Sequence, residues 1–213
     1  MEKDGLVFGH ITEYLHSVRR QRTGELGKLE RESRLAGLPV SDPETSDLLE
    51  ILCLLRKPGR ILEIGTCVGF SALLMESVCP DAEIITLERN PAMIVPAREN
   101  FKRFSSGVKM IEGDAVQILP AMDPSFDLIY IDAAKGQYPV FLEQALRLLS
   151  PEGVIICDNV LFNGMVATGK PDRHRNKTIV VRLGEFLDRL EREESLKTVI
   201  LPISDGVTVS VRV

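Results

Sequence analysis

The residues of this chain best able to do chemistry sit in two short runs. Ile131-Asp132-Ala133-Ala134-Lys135-Gly136-Gln137-Tyr138 sets a carboxylate three residues before a lysine. Cys157-Asp158-Asn159 sets a second carboxylate beside an amide. Each run follows a short apolar stretch, so each reads as the carboxyl end of a buried strand. Asp132, Asp158 and Asn159 together offer three hard oxygen donors. That set suits Mg²⁺, with Mn²⁺ or Ca²⁺ as further fits, and leaves positions for water and substrate. Neighbours on an extended strand point opposite ways, so Asp158 and Asn159 reach one ion only where the strand turns into its loop. Zinc fits poorly, because His10, His16 and His174 show no ligand spacing. A cation on a hydroxyl oxygen favours the oxyanion and orients it. Lys135 then acts as a base, if its surroundings depress its pKa, or stabilises the oxyanion by charge. Taken alone, an Asp-Asn pair after a strand reads more simply as a loop cap.

A second set of residues suits a nucleoside. Glu63-Ile64-Gly65-Thr66-Cys67-Val68-Gly69 ends an apolar run with two glycines, which allow a tight turn and close approach of backbone to ligand. The spacing is GxxxG rather than the GxGxxG that cradles a pyrophosphate. Glu88 ends the next apolar run, 88 − 65 = 23 residues after the first glycine. A carboxylate there can accept hydrogen bonds from two ribose hydroxyls. Gly113-Asp114-Ala115 ends the third run, a small residue and an acid that suit an adenine edge. Adenosine without pyrophosphate fits S-adenosylmethionine.

These positions need a scaffold of strand ends, and the hydropathy pattern supplies one. Short apolar runs at Arg60–Ile64, Glu83–Leu87, Val108–Ile111, Asp127–Ile131 and Val154–Cys157 read as strands. Helical stretches at Ser71–Cys79, Pro91–Phe104, Val116–Pro120 and Tyr138–Leu149 lie between them. That alternation predicts an α/β, doubly wound, mostly parallel sheet. A loop over Asn159–Asn176 and a helix over Lys177–Glu194 follow. Leu196–Ile203 and Val207–Val213 across Asp205-Gly206 predict a C-terminal antiparallel hairpin, for seven strands in all. A parallel sheet closed by such a hairpin suits the Rossmann-like class I methyltransferase variant. Before it, residues 1–40 read as a helical extension with an apolar stripe of Ile11, Tyr14, Leu15 and Val18, followed more loosely by Leu26, Leu29 and Leu35. The stripe packs on the main domain, or serves as a dimer contact or lid. Ser41 to Glu44 matches a capping box with Pro43 in the first turn, for a helix running to Arg56 and stopped by Lys57-Pro58-Gly59.

The 213 residues, 44% hydrophobic, suffice for one domain spanning 1–213. A formal net charge of −5 argues against a general nucleic-acid binder, though a local basic patch overrides an average. Cys53, Cys67, Cys79 and Cys157 form no CxxC pair and read as reduced thiols of a cytoplasmic protein. Residues 1–9 have no secretory pattern, and no stretch is long enough to span a bilayer.

The two runs, Ile131 to Tyr138 and Cys157-Asp158-Asn159-Val160-Leu161-Phe162-Asn163-Gly164, resemble the signatures of the cation-dependent O-methyltransferases, which include catechol and caffeoyl-CoA enzymes. The resemblance spans roughly Val40 to the C-terminus. It implies that Asp132, Asp158 and Asn159 hold the metal and that Lys135 is the catalytic lysine. It also implies that Glu63, Gly65, Ser71, Glu88, Asp114, Ala115 and Asp132 are cofactor positions, with Val40-Ser41 touching the methionine end. Asp132 thereby serves both metal and catalysis. Within the family, Ile131 to Tyr138 and Ser150-Pro151-Glu152-Gly153-Val154-Ile155-Ile156 through Phe162 are most similar to bacterial tRNA 5-hydroxyuridine methyltransferases. That implies methylation of a wobble uridine in the tRNA anticodon loop; a small vicinal-diol aromatic is the alternative substrate, and a homodimer is expected. Ala134 stands where the catechol enzyme carries a tryptophan clamp, which suits a larger acceptor. Lys170, Arg173, Arg175, Lys177 and Arg182 against Asp172 give a local balance of 5 − 1 = +4, able to meet phosphates. Arg19, Arg20 and Arg22 form a second basic candidate. An unpaired wobble base can be splayed into a pocket.

Overall fold

A computed structural model describes residues 6–123 and 125–213 of the chain. The first five residues of the leader reading at 1–9 lie outside the described residues. Strands β1 (Arg60–Ile64), β2 (Glu83–Glu88), β3 (Lys109–Glu112), β4 (Phe126–Ile131), β5 (Leu149–Asp158), β6 (Leu196–Leu201) and β7 (Val207–Arg212) form one sheet. Their order is β3-β2-β1-β4-β5-β7-β6. β1 to β5 pair in parallel, and β7 runs antiparallel to both β5 and β6. The expected doubly wound sheet with a C-terminal antiparallel hairpin is therefore the one that forms.

Helices α1 (Gly9–Val18), α2 (Gly24–Leu35) and α3 (Pro43–Arg56) precede the sheet. Helices α4 (Phe70–Val78), α5 (Pro91–Arg103), α6 (Ala115–Ile118), α7 (Tyr138–Leu148), α8 (Met165–Thr168) and α9 (Lys177–Arg192) are threaded through it. The central strands are apolar on both faces because helices cover both. Ile129, Ile131, Ile155 and Cys157 pack with Phe141, Leu142, Leu183 and Phe186 of α7 and α9. On the other face Ile61, Leu128, Tyr130 and Ile156 meet Leu49 and Cys53 of α3 and Met75 of α4.

Three local expectations are corrected. The cap of α3 is Asp42 rather than Ser41, and no side chain caps the helix; the Ser41 hydroxyl is drawn instead to Tyr130. β5 starts at Leu149, and its register against β4 shifts between Phe126 and Leu128, so Ser150 to Gly153 is carried within the strand as an irregularity. The hairpin is not closed by a tight Asp-Gly turn. Leu201 is the last residue paired with Val207, so residues 202–206 make the connection, with Gly206 at φ +86° against the Leu161 side chain.

Helix α1 forms at the expected stripe but buries none of its residues; Thr12, Leu15 and His16 border a cavity shared with Pro43, Glu44 and Ile203. The helix makes a polar contact with α3: His16 Nε2 lies 2.7 Å from Glu44 Oε1. In α2, Leu29 is buried while Leu35 is 89% exposed. Cys53, Cys79 and Cys157 are buried free thiols and Cys67 is half-buried. Among the described residues, no helix is long and apolar enough to cross a membrane.

Candidate active site

Strand register brings the chemical residues to one level. Leu87, Ile64, Ile131 and Cys157 lie side by side on β2, β1, β4 and β5. The next residue on each strand is Glu88, Gly65, Asp132 and Asp158. Four strand ends thus present their functional groups along one line, at the point where β1 and β4 diverge to opposite sides. Ligands of such sheets bind there. Gly65 is at φ +109°, and a β-carbon on it would lie 2.0 Å from the Asp132 carbonyl oxygen. The turn and Asp132 therefore touch across the switch point.

A cavity of about 550 Å³ opens over this line. Gly65, Cys67, Glu88, Asp114 and Ala115 wall one end, and Asp132, Lys135, Asp158 and Asn159 the other, with Val40 and Ser41 alongside. Glu88 is fixed by three backbone donors: Arg89 N at 2.9 Å and Asn90 N at 2.7 Å to Oε1, and Cys67 N at 2.8 Å to Oε2. A carboxylate has about four lone-pair sites, so Oε2 keeps one for a further donor such as a ribose hydroxyl. Asp114 caps α6 through Val116 N at 3.0 Å and takes Arg89 Nη1 at 3.0 Å. The cavity also shows lining residues that sequence reading missed, among them Asp42, Met93 and Phe141.

At the other end, Asp158 is 1% exposed. Burial, and then the Asp132 carboxylate, raise its carboxyl to about 7. Two carboxylates forced together in a poor dielectric are the arrangement that a bound cation relieves. Asn159, directly after Asp158, takes φ +56°. The strand therefore turns into its loop at Asn159, as a shared ion requires of adjacent residues. Lys135 Nζ lies 2.6 Å from Asp132 Oδ1 and 3.2 Å from Tyr138 Oη. Tyr138 in turn donates to the Asp158 carbonyl at 2.7 Å. None of the described histidines lines the cavity. The donor set there is oxygen, which fits Mg²⁺, Mn²⁺ or Ca²⁺.

Two expected cofactor positions do not line the cavity. Glu63 is fully buried beneath the glycine turn and accepts hydrogen bonds from Ser71 Oγ and Thr86 Oγ1. Thr86 Oγ1 also lies 2.6 Å from Thr66 Oγ1. Glu63 and Ser71 thus brace the turn from below. Burial raises the Glu63 carboxyl from 4.5 to about 8. The folded protein then binds a proton there that the unfolded chain has released, so this group's contribution to stability falls as pH rises from about 4.5 to 8. Glu63→Gln keeps the neutral shape and removes the titration. The melting temperature of the variant should exceed that of the wild type increasingly from pH 6 to pH 9. A gap that does not change with pH would show that Glu63 is ionised throughout.

The two basic candidates part ways. Arg19 and Arg22 are spent inside the fold: Arg19 Nε meets Asp47 at 2.6 Å, and Arg22 meets Glu50 at 2.6 Å and Glu30 at 3.0 Å. They clamp the segment between α1 and α2 onto α3, so of the expected patch Arg19 and Arg22 are taken up by acids of the fold, while Arg20 is exposed. Lys170, Arg173, Arg175 and Lys177 remain exposed; Arg182 pairs with Glu185 at 3.0 Å.

Comparison with known proteins bears on the family and the fold. A family model described as O-methyltransferase matches residues 16–213. A Niastella koreensis protein named catechol O-methyltransferase is 36% identical over 140 residues, a stretch that covers 62% of this chain and 63% of that relative's length. The structure of SAH-bound Podospora anserina methyltransferase PaMTH1 superimposes with a TM-score of 0.86 at 31% identity, covering 96% of this chain and 94% of that one. The Bacillus cereus O-methyltransferase in complex with SAH gives a TM-score of 0.82 at 26% identity, covering 96% and 97%.

Proposed function

The chain belongs to the cation-dependent O-methyltransferase family, and on that premise we propose that it transfers the methyl group of S-adenosylmethionine to the 5-hydroxyl of 5-hydroxyuridine at the tRNA wobble position, giving 5-methoxyuridine. The observation that carries methyl transfer is one cavity with two unlike ends. A braced carboxylate, Glu88, and the capping Asp114 suit the adenosine end. Asp132, Asp158, Asn159 and Lys135 suit an acceptor oxygen at the other.

Glu88 would take the ribose hydroxyls, and Asp114 with Ala115 would border the adenine. Val40 and Ser41 would wall the methionine end. Asp132, Asp158 and Asn159 would hold the cation. When bound, the cation acidifies and orients the acceptor hydroxyl, and S-adenosylmethionine supplies a methyl group on cationic sulfur. Lys135, paired to Asp132, places positive charge where the acceptor oxygen turns negative. Tyr138 fixes that lysine from behind.

The RNA acceptor is supported by Ala134, which leaves the cavity wall open, and by the exposed run from Lys170 to Lys177 in the segment that follows Asn159. The second reading, a small vicinal-diol aromatic, is favoured by the name of the Niastella relative. A homodimer belongs to the proposal too. Ile11, Tyr14, Leu15 and Val18 of α1 and Ile51, Leu54 and Leu55 of α3 are exposed apolar side chains.

The experiment compares two acceptors. Reversing Arg173 and Arg175 to Glu should weaken tRNA binding and flatten its log–log salt dependence by about one unit per lost phosphate contact. Methylation of a small catechol should stay nearly unchanged, because that acceptor reaches only the cation site and Lys135. Equal losses on both acceptors would reduce the run to a support of the fold. Wild-type turnover of catechol with none on hydroxyuridine-containing tRNA would establish the second reading.

A further inference from the structure

Resting on the cation site proposed above, we propose that Tyr130 is the positioning residue for Asp158 and ties this carboxylate to the Ser41 wall of the cofactor cavity. Tyr130 is wholly buried on β4, two residues before Asp132, and packs on the face covered by α3 and α4. Its hydroxyl lies 2.8 Å from Ser41 Oγ and 3.3 Å from Asp158 Oδ2. A phenol has one proton to give, and a carboxylate can only accept. The direction of the chain follows: Ser41 donates to Tyr130, and Tyr130 donates to Asp158.

Asp158 is thereby gripped on both oxygens. Oδ1 accepts from Asn159 N at 2.7 Å and faces Thr45 Oγ1 at 3.5 Å; Oδ2 accepts from Tyr130. Phenylalanine would fill the same space under α3 without a polar atom to satisfy. A buried hydroxyl costs stability unless it is paired, and here both of its partners belong to the cavity wall. Ser41 is itself fixed, since its carbonyl accepts from Arg34 Nη2 and from Ser46 Oγ at 3.3 Å. The orientation of Asp158 is therefore set from the loop that borders the methionine end.

The test needs no methyl acceptor. Mn²⁺ binding is read by the loss of the free-ion electron paramagnetic resonance signal, S-adenosylhomocysteine binding by calorimetry, and folding by melting temperature. Tyr130→Phe should weaken Mn²⁺ binding about 10-fold, the usual effect of removing a group that orients a metal ligand. Its affinity for S-adenosylhomocysteine without metal should stay within about 2-fold of wild type, with the melting temperature shifted by no more than a few degrees. Ser41→Ala should move Mn²⁺ affinity the same way but less, because Tyr130 still reaches Asp158. Tyr130→Phe binding Mn²⁺ as tightly as wild type would overturn the proposal. So would a loss of both affinities in step with the melting temperature, which marks a support of the fold. Wild-type protein that binds no Mn²⁺ would sink the cation site itself, and the proposal with it.

Discussion

Gly65→Ala is expected to destroy the cofactor cavity and to cost the protein on the order of 4 kcal/mol of stability, at the extreme of single substitutions. Two effects add. Alanine is strained at φ +109°, a backbone conformation that glycine alone tolerates well. The new methyl would also lie 2.0 Å from the carbonyl oxygen of Asp132. That neighbour is backbone at the end of a buried strand, so it cannot swing aside. Relief requires the β1 turn or the β4 end to move, and the first carries the proposed cofactor loop while the second carries a proposed cation ligand. For a chain of this length the loss corresponds to a fall in melting temperature of roughly 8–16 °C. S-adenosylhomocysteine binding should become undetectable. Gly184→Ala is the control, since nothing lies within 4 Å of the added methyl and the site is inside α9. It should stabilise by up to about 1 kcal/mol through helix propensity. A Gly65→Ala protein with wild-type melting temperature and S-adenosylhomocysteine affinity would show that the turn does not shape the cavity.

Glu88, Gly65, Asp132 and Asp158 were legible in the sequence because each terminates an apolar run, and a strand end is a local property. Their convergence was not a local property. It depends on the order β3-β2-β1-β4-β5 and on a register that sets four strand ends level. The topology rule for open parallel sheets supplied that step. Resemblance puts Ser41 at the methionine end, but local sequence points its hydroxyl to a helix cap, because the competing partner, Tyr130, is 89 residues away in the chain. Tyr130 did carry a signal: it is a polar side chain inside an apolar run that ends two residues before Asp132. Thr45 carried none, since it reaches Asp158 only through the packing of α3.

Charge was the least readable feature. Arg19, Arg20 and Arg22 look on paper like the run from Lys170 to Arg182. Yet Arg19 and Arg22 lie against Glu30, Asp47 and Glu50, which come from two other helices. Whether a cationic run faces water depends on which acids the tertiary fold sets beside it. Glu63 poses the same problem inside the sheet. Its position in the motif suggested contact with the cofactor, while its burial beneath the turn makes it a brace.

Removal of the divalent cation tests the central claim most directly. The protein is stripped with chelator and given S-adenosylmethionine carrying a labelled methyl group, with hydroxyuridine-containing tRNA in one arm and a catechol in the other. Half-buried Asp132 and buried Asp158, with Asn159 beside them, are the proposed cation ligands, and on that proposal the cation is the means by which a neutral hydroxyl becomes a nucleophile. Losing several kcal/mol of such stabilisation slows transfer on the order of 1000-fold or more. Label should therefore stay off both acceptors in chelator, while calorimetry shows S-adenosylhomocysteine still bound at the Glu88 end. Adding Mg²⁺ or Mn²⁺ should restore transfer to an acceptor oxygen. Undiminished methyl transfer by metal-free protein in excess chelator would contradict the account.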